Sequence, residues 1–307
     1  MLGLRKEVLR LLLPMSLPSP ILRPESGRLL LLLLLSASLS SVAPTFAVPI
    51  IQLVNITGSG NATIRDGGNV IDIRMDRYSA TGLRSKQLFL FSRVDMQMRL
   101  PPDDTSGTIT SFYMSSEGNF HDEIDFEFLG NLKGQPYILL TNIFIQGKGE
   151  REMMFYLWFD PRTAFHTYTI LWNPWFIILY IDGQPIRVFP NLVGFGIPFP
   201  TRQPMTVQAS IWNADWATQG GRVPINWSHA PYIASYANMS SIPCPATSKN
   251  PICKLPSPQS FHGKVPQLDS WTNKTIHILQ DKYMAYSYCS DAKRFPKGLP
   301  PECSVKF

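Results

Sequence analysis

From residue 69 onward, short apolar stretches alternate with turn signals. Runs rich in β-branched and aromatic residues cover 69–75, 88–100, 107–114, 123–129, 137–144, 155–159, 167–171, 176–181 and 205–211. Between them stand Asp66-Gly67-Gly68, Pro101-Pro102-Asp103-Asp104, Gly147-Lys148-Gly149 and Asp182-Gly183, each suited to a tight reversal. No helical period interleaves, so the pattern predicts an all-β domain over 48–240, a sandwich of two antiparallel sheets packed face to face. Residues 244–271 change character, with Pro245, Pro251, Pro256, Pro258 and Pro266 marking a linker-like loop. Beyond it, Ile276, Leu279, Tyr283 and Tyr286 recur at three and four residues, which predicts a helix over 275–288. Residues 241–307 thus form a C-terminal extension.

Residues 1–47 do not belong to either pattern. Seven leucines, Leu29 to Leu35, follow Arg23 and Arg28 and precede small residues ending at Ala47. That order is a secretory leader with cleavage expected after Ala47, and Met15 offers a second start that would shorten its basic region. The apolar stretch falls short of the ~20 residues that span a bilayer, so no integral membrane anchor is expected. The leader holds five basic and two acidic residues, so the net charge of +6 drops to +3 without it. A body so near neutral has no basic footprint for nucleic acid.

Export makes two other features meaningful. Sequons stand at Asn55, Asn61, Asn226, Asn238 and Asn273. The four cysteines, Cys244, Cys253, Cys289 and Cys303, all lie in the last quarter of the chain, where a disulfide framework can pin the extension in any of three pairings. No Cys/His spacing suits zinc, and neither a metal nor another cofactor is expected.

The chemistry is concentrated in one stretch, His121-Asp122-Glu123-Ile124-Asp125-Phe126-Glu127-Phe128-Leu129-Gly130. With a period of two, Ile124, Phe126 and Phe128 face the core while Glu123, Asp125 and Glu127 share the other face. Carboxylates in such a row repel and titrate together. A solvated acidic face or a calcium site would also use three carboxylates. Paired-carboxylate sugar chemistry fits better in an exported all-β chain that is 12% aromatic. Retaining glycosidases need their carboxyl groups ~5–5.5 Å apart, whereas positions four apart on a straight strand are separated by ~13 Å, so the two glutamates must lean together from a curved strand.

This decamer resembles the catalytic strand of the plant xyloglucan endotransglucosylase/hydrolases in glycoside hydrolase family 16. The likeness runs on through Gly82-Leu83-Arg84-Ser85-Lys86, Leu157-Trp158-Phe159-Asp160-Pro161, Pro185-Ile186-Arg187, Trp212-Asn213-Ala214-Asp215-Trp216 and Lys293-Arg294-Phe295-Pro296. It implies a concanavalin-like β-jelly-roll whose concave face holds a β-1,4-glucan bearing xylose branches. It implies Glu123 as nucleophile, Glu127 as general acid/base and Asp125 as the helper between them. It implies substrate contacts at His121, Tyr113, Asn142, Arg151, Trp216 and Arg294, and disulfides Cys244–Cys253 and Cys289–Cys303. The expected partner is xyloglucan as donor and acceptor, the expected place the cell wall, and the expected state a monomer. A lectin-like glycan-binding protein and a hydrolase of another β-glucan are the rival readings.

The chain departs from the family at the cleft edge. Asn131-Leu132-Lys133 is not the sequon the family carries after its acid/base, Leu140 stands where the family has glutamine, and a single Asp215 precedes Trp216. Residues 48–65 hold no Trp or Phe, so the family's aromatic opening strand is absent.

Overall fold

The computed structural model describes residues 48–245, Cys253 and residues 266–305. The leader, with Met15, and the prolines at 251, 256 and 258 lie outside the described residues. Along the chain the strands are β1 (Val54–Gly58), β2 (Thr63–Arg65), β3 (Val70–Met75), β4 (Thr81–Phe89), β5 (Ser92–Arg99), β6 (Thr108–Ser115), β7 (Glu123–Leu129), β8 (Ile138–Phe144), β9 (Met153–Tyr156), β10 (His166–Trp172), β11 (Phe176–Ile181), β12 (Gln184–Pro190), β13 (Met205–Asn213), β14 (Tyr232–Pro243) and β15 (Met284–Ser287). One sheet has the order β1-β4-β13-β6-β7-β8-β9-β15 and the other β12-β11-β10-β5-β14-β3-β2. Neighbouring strands run antiparallel throughout. This is the expected all-β sandwich, with β7 near the middle of the larger sheet.

The core lies between the sheets. Ile124, Phe126 and Phe128 of β7 are fully buried there. Phe126 stacks on Phe112 of β6 at 6.0 Å, and Phe126 and Phe128 meet the ring of Tyr168 from the opposite sheet edge-on at 5.7 and 4.8 Å. These contacts anchor β7 by one face and leave its other face to chemistry.

Two sequence expectations take a different form. The 88–100 run is two strands in different sheets, broken at Phe91, which has φ 62° and packs edge-on to Trp172 at 5.1 Å. Apolar alternation continues across the break because both strands bury a face in the same core. The C-terminal helix spans Ser270–Tyr283 rather than 275–288. Asp269 starts it early, accepting from Thr272 N at 2.9 Å and Thr272 Oγ1 at 2.6 Å. Residues 284–287 then extend and pair with β9, so Tyr286 joins the sheet. Edge pairing outweighs helical spacing where a free strand edge is available.

Two disulfides lie within the extension, and the ion pairs Arg151–Glu302 and Arg294–Glu152 hold it to the body. Disulfides join Cys244 to Cys253 and Cys289 to Cys303, as the family resemblance implies. Arg187, 1% exposed, reaches from β12 in the smaller sheet to β8 in the larger. It donates to Thr141 O at 2.9 Å, Thr141 Oγ1 at 2.8 Å and Arg151 O at 2.6 Å. Burial brings its guanidinium down to about 10.

Candidate active site

Opposed residues of an antiparallel pair share a face, so the register defines what lies beside each carboxylate. Asp125 stands between Tyr113 and Asn142, with Gln208 and Arg84 continuing the same row. Glu127 stands between Ser111 and Leu140, and its row runs through Ser210 and Gly82 on one side and Met154 on the other. Glu123 is opposed by Ser115 and Phe144.

Glu123, Asp125 and Glu127 line one cleft of about 280 Å³ with Ser111, Tyr113, Ser210 and Trp212. The row predicted from period two is therefore real and opens onto a single recess. Asp125 is 3% and Glu127 8% exposed, while the side chain of Glu123 is 21% exposed. His121 stands at the Glu123 end: its Nε2 lies 3.9 Å from Glu123 Oε2, its Nδ1 3.1 Å from Gly118 O, and its ring stacks on Phe144.

Tyr113 donates to Gln208 Oε1 at 3.1 Å. Burial, reinforced by the charges of Glu123 and Asp125, pushes its phenol up to about 12, so it enters the cleft as a neutral donor. Asn142 is fully buried; its Oδ1 accepts from Ile143 N at 2.9 Å and Arg151 N at 3.1 Å. Gly130 closes β7 where a Cβ would strike Thr105 and Thr108. Thr218 ties that end to the 214–218 loop: its hydroxyl donates to Gly130 O at 2.8 Å and accepts from Gly107 N at 2.7 Å.

Of the six expected contacts only Tyr113 lines the recess; His121 and Asn142 stand beside it, and three others sit farther from its lining. Trp216 is 2% exposed and packs edge-on to Trp212 at 6.2 Å, in an apolar cluster with Ile109, Leu129, Leu140 and Met154. Arg151 Nε bonds Glu302 Oε1 at 2.7 Å, and Arg294 Nη1 bonds Glu152 Oε2 at 2.7 Å, with both guanidinium groups largely buried. Trp212, Ser111 and Ser210 are the cleft residues that the motifs did not single out. Their signal was the two-residue period of β6 and β13, invisible until the register of the two strands is known. Among the described residues, no cluster of three His, Cys, Asp or Glu side chains is placed to hold a metal ion.

A sandwich with a carboxylate row on its open face is the architecture of a two-carboxylate glycosidase. Residues 52–229 match the family of glycosyl hydrolases 16, and residues 256–303 match the xyloglucan endo-transglycosylase C-terminus. The chain belongs to family 16 of the glycosyl hydrolases. It is 47% identical over 274 residues to xyloglucan endotransglucosylase/hydrolase 2 of Glycine max, covering 89% of this chain and 95% of that one. It is also 47% identical over 250 residues to xyloglucan endotransglucosylase protein 1 of Diospyros kaki, covering 80% and 84%. Among solved structures, the Crh5 transglycosylase in complex with NAG superposes with a TM-score of 0.51 at 24% identity, over 63% of this chain and 79% of that one, a likeness of fold.

Proposed function

We propose that the protein cleaves the β-1,4-glucan backbone of xyloglucan with retention and passes the cut chain to a second xyloglucan, or to water. The observation that carries this is the placement of Glu123, Asp125 and Glu127 in one open cleft of a chain closely similar to xyloglucan endotransglucosylases. Glu123 attacks the anomeric carbon while Glu127 protonates the departing oxygen; Glu127 then deprotonates the incoming hydroxyl, which displaces Glu123. Asp125, between them on the strand, holds the pair's proton distribution. Tyr113 and Trp212 flank the donor sugar, His121 meets it at the Glu123 end, and Asn142 stands on the acceptor side.

Arg151 and Arg294 serve that acceptor side by holding the rim in place, and Trp216 by backing Trp212. Residues 1–47 route the chain outward, the body from 48 to about 240 carries the reaction, and the wall outside the cell is where its polymer lies. The test is incubation with xyloglucan and a labelled xyloglucan oligosaccharide. Label entering polymer supports transfer, shortening without label supports hydrolysis, and the absence of both sinks the enzymatic reading.

A further inference from the structure

A second cleft, of about 520 Å³, opens on a different part of the surface from the carboxylates and is lined by Arg74, Asp76, Arg77, Tyr78, Trp227, Ser228, Ala230 and Pro231. Its floor is built rigidly. Asp76 accepts from Tyr78 N at 2.9 Å, Ser79 N at 2.8 Å and Ser79 Oγ at 3.1 Å, fixing a turn that holds Tyr78 outward, 88% exposed. An aromatic ring held so far into solvent, beside two guanidinium groups and a carboxylate, is the lining that sugar rings use: a stacking face with planar hydrogen-bonding groups at its edge.

What stands at the mouth of this cleft is a sequon, Asn226-Trp227-Ser228. Tyr232 pairs with Met75, which delivers the 226–231 segment against the 76–79 turn. Tyr232 donates its hydroxyl to Asn226 O at 2.5 Å, and Asn226 Oδ1 accepts from Ser228 N at 3.1 Å and Ser228 Oγ at 2.8 Å. Both oxygens of Asn226 are thus engaged, while its Nδ2, on an exposed residue, donates to none of the described residues. Two other sequons are placed less well: Asn238 Nδ2 donates to Gln97 Oε1 at 2.7 Å, and Asn273 is half-buried within the C-terminal helix.

We propose that Asn226 is N-glycosylated and that the first N-acetylglucosamine units of its glycan lie in this cleft against Tyr78 and Trp227. The inference rests on the reading of residues 1–47 as a secretory leader. In the transfer step, Asn226 Nδ2 forms a bond to the anomeric carbon of a lipid-diphosphate-linked oligosaccharide. The carbon–oxygen bond to the diphosphate breaks, the lipid diphosphate leaves with the electron pair, and one Nδ2 proton passes to a base of the transferase. The sugar then covers a ring that the protein alone leaves wet.

The experiment is secretion of the full chain from a eukaryotic host, scored in the medium. Glycan release by a peptide amidase in heavy-oxygen water follows, with mass spectrometry of all five sequon peptides. Asn226 is expected to return as labelled aspartate. Ser228→Ala removes the sequon yet keeps Asn226 and its bond from Ser228 N. In that variant, amide hydrogen exchange over 74–80 should quicken at least about fivefold with glucan transfer unchanged. A secreted chain with bare Asn226, or equal exchange in the two proteins, overturns this proposal alone; failure of the chain to leave the cell overturns the leader reading and this one with it.

Discussion

Arg151, at the rim of the catalytic sheet, is bonded to Glu302, one residue before the Cys303 half of the second disulfide, with Nε 2.7 Å from Oε1. The extension therefore grips the edge of the cleft it follows in sequence by about 150 residues. Arg294 and Glu152 make a second grip of the same length beside it. Burying two such pairs is costly in itself, and breaking either leaves a charge without its partner.

Glu302→Ala is accordingly expected to lower unfolding stability by about 3–5 kcal/mol, measured by denaturant titration with activity followed in parallel. Acceptor KM should rise before cleavage is lost, because the Gly149–Arg151 backbone that Arg151 braces lies beside Asn142. A variant as stable as the parent would contradict the clamp.

Glu123→Ala should abolish transfer and hydrolysis together while leaving circular dichroism and melting unchanged. Glu127→Ala should lose about 10²–10⁴-fold on xyloglucan but far less on activated aryl glycosides, whose leaving groups need little protonation. Residual wild-type turnover in the Glu123 variant is the outcome that rejects the assignment.

The two neighbouring tryptophans should separate by phenotype. Trp212 lines the recess, so Trp212→Ala should reduce kcat/KM with little loss of stability. Trp216 is buried against it, so Trp216→Ala should cost about 3–5 kcal/mol of folding free energy. Paired melting and kinetic measurements on both variants check this.

Leu140 faces Glu127 across the register, and Met154 continues that row. Both side chains are buried and apolar, so this side of Glu127 offers a lone water few polar partners. Leu140→Gln should raise the hydrolysis-to-transfer ratio by supplying one, read from reducing ends released against label incorporated into polymer.

Alkaline pH should unfold the protein cooperatively. Burial raises Tyr113, Tyr286 and Tyr288 to about 12, Tyr137 and Tyr180 further, and Tyr168 and Tyr236 well above the 10 of a free phenol. Between those values the unfolded chain binds fewer protons than the native one, so stability is intact below pH 10 and falls as pH rises beyond it. Phenolate absorbance should therefore appear together with loss of structure, not as an independent titration near 10.

The sheet class and the carboxylate face were legible in the chain, because a two-residue period sorts side chains between core and surface without knowledge of any partner strand. Phe126 inward and Asp125 outward follow from that alternation alone. It could not show that the 88–100 run changes sheets at Phe91, since both halves feed one core and alternate alike. Nor could it show that Tyr286 leaves the helix for the edge of β9, or that Trp212 rather than Trp216 lines the recess. One motif holds both tryptophans, and the resemblance singled out Trp216, whereas the recess is lined by Trp212. Those outcomes depend on strand register and on the close approach of segments far apart in sequence. Thr218 tying Gly107 to Gly130 and Arg187 crossing from one sheet to the other are such contacts, and only the folded chain brings their partners within bonding distance.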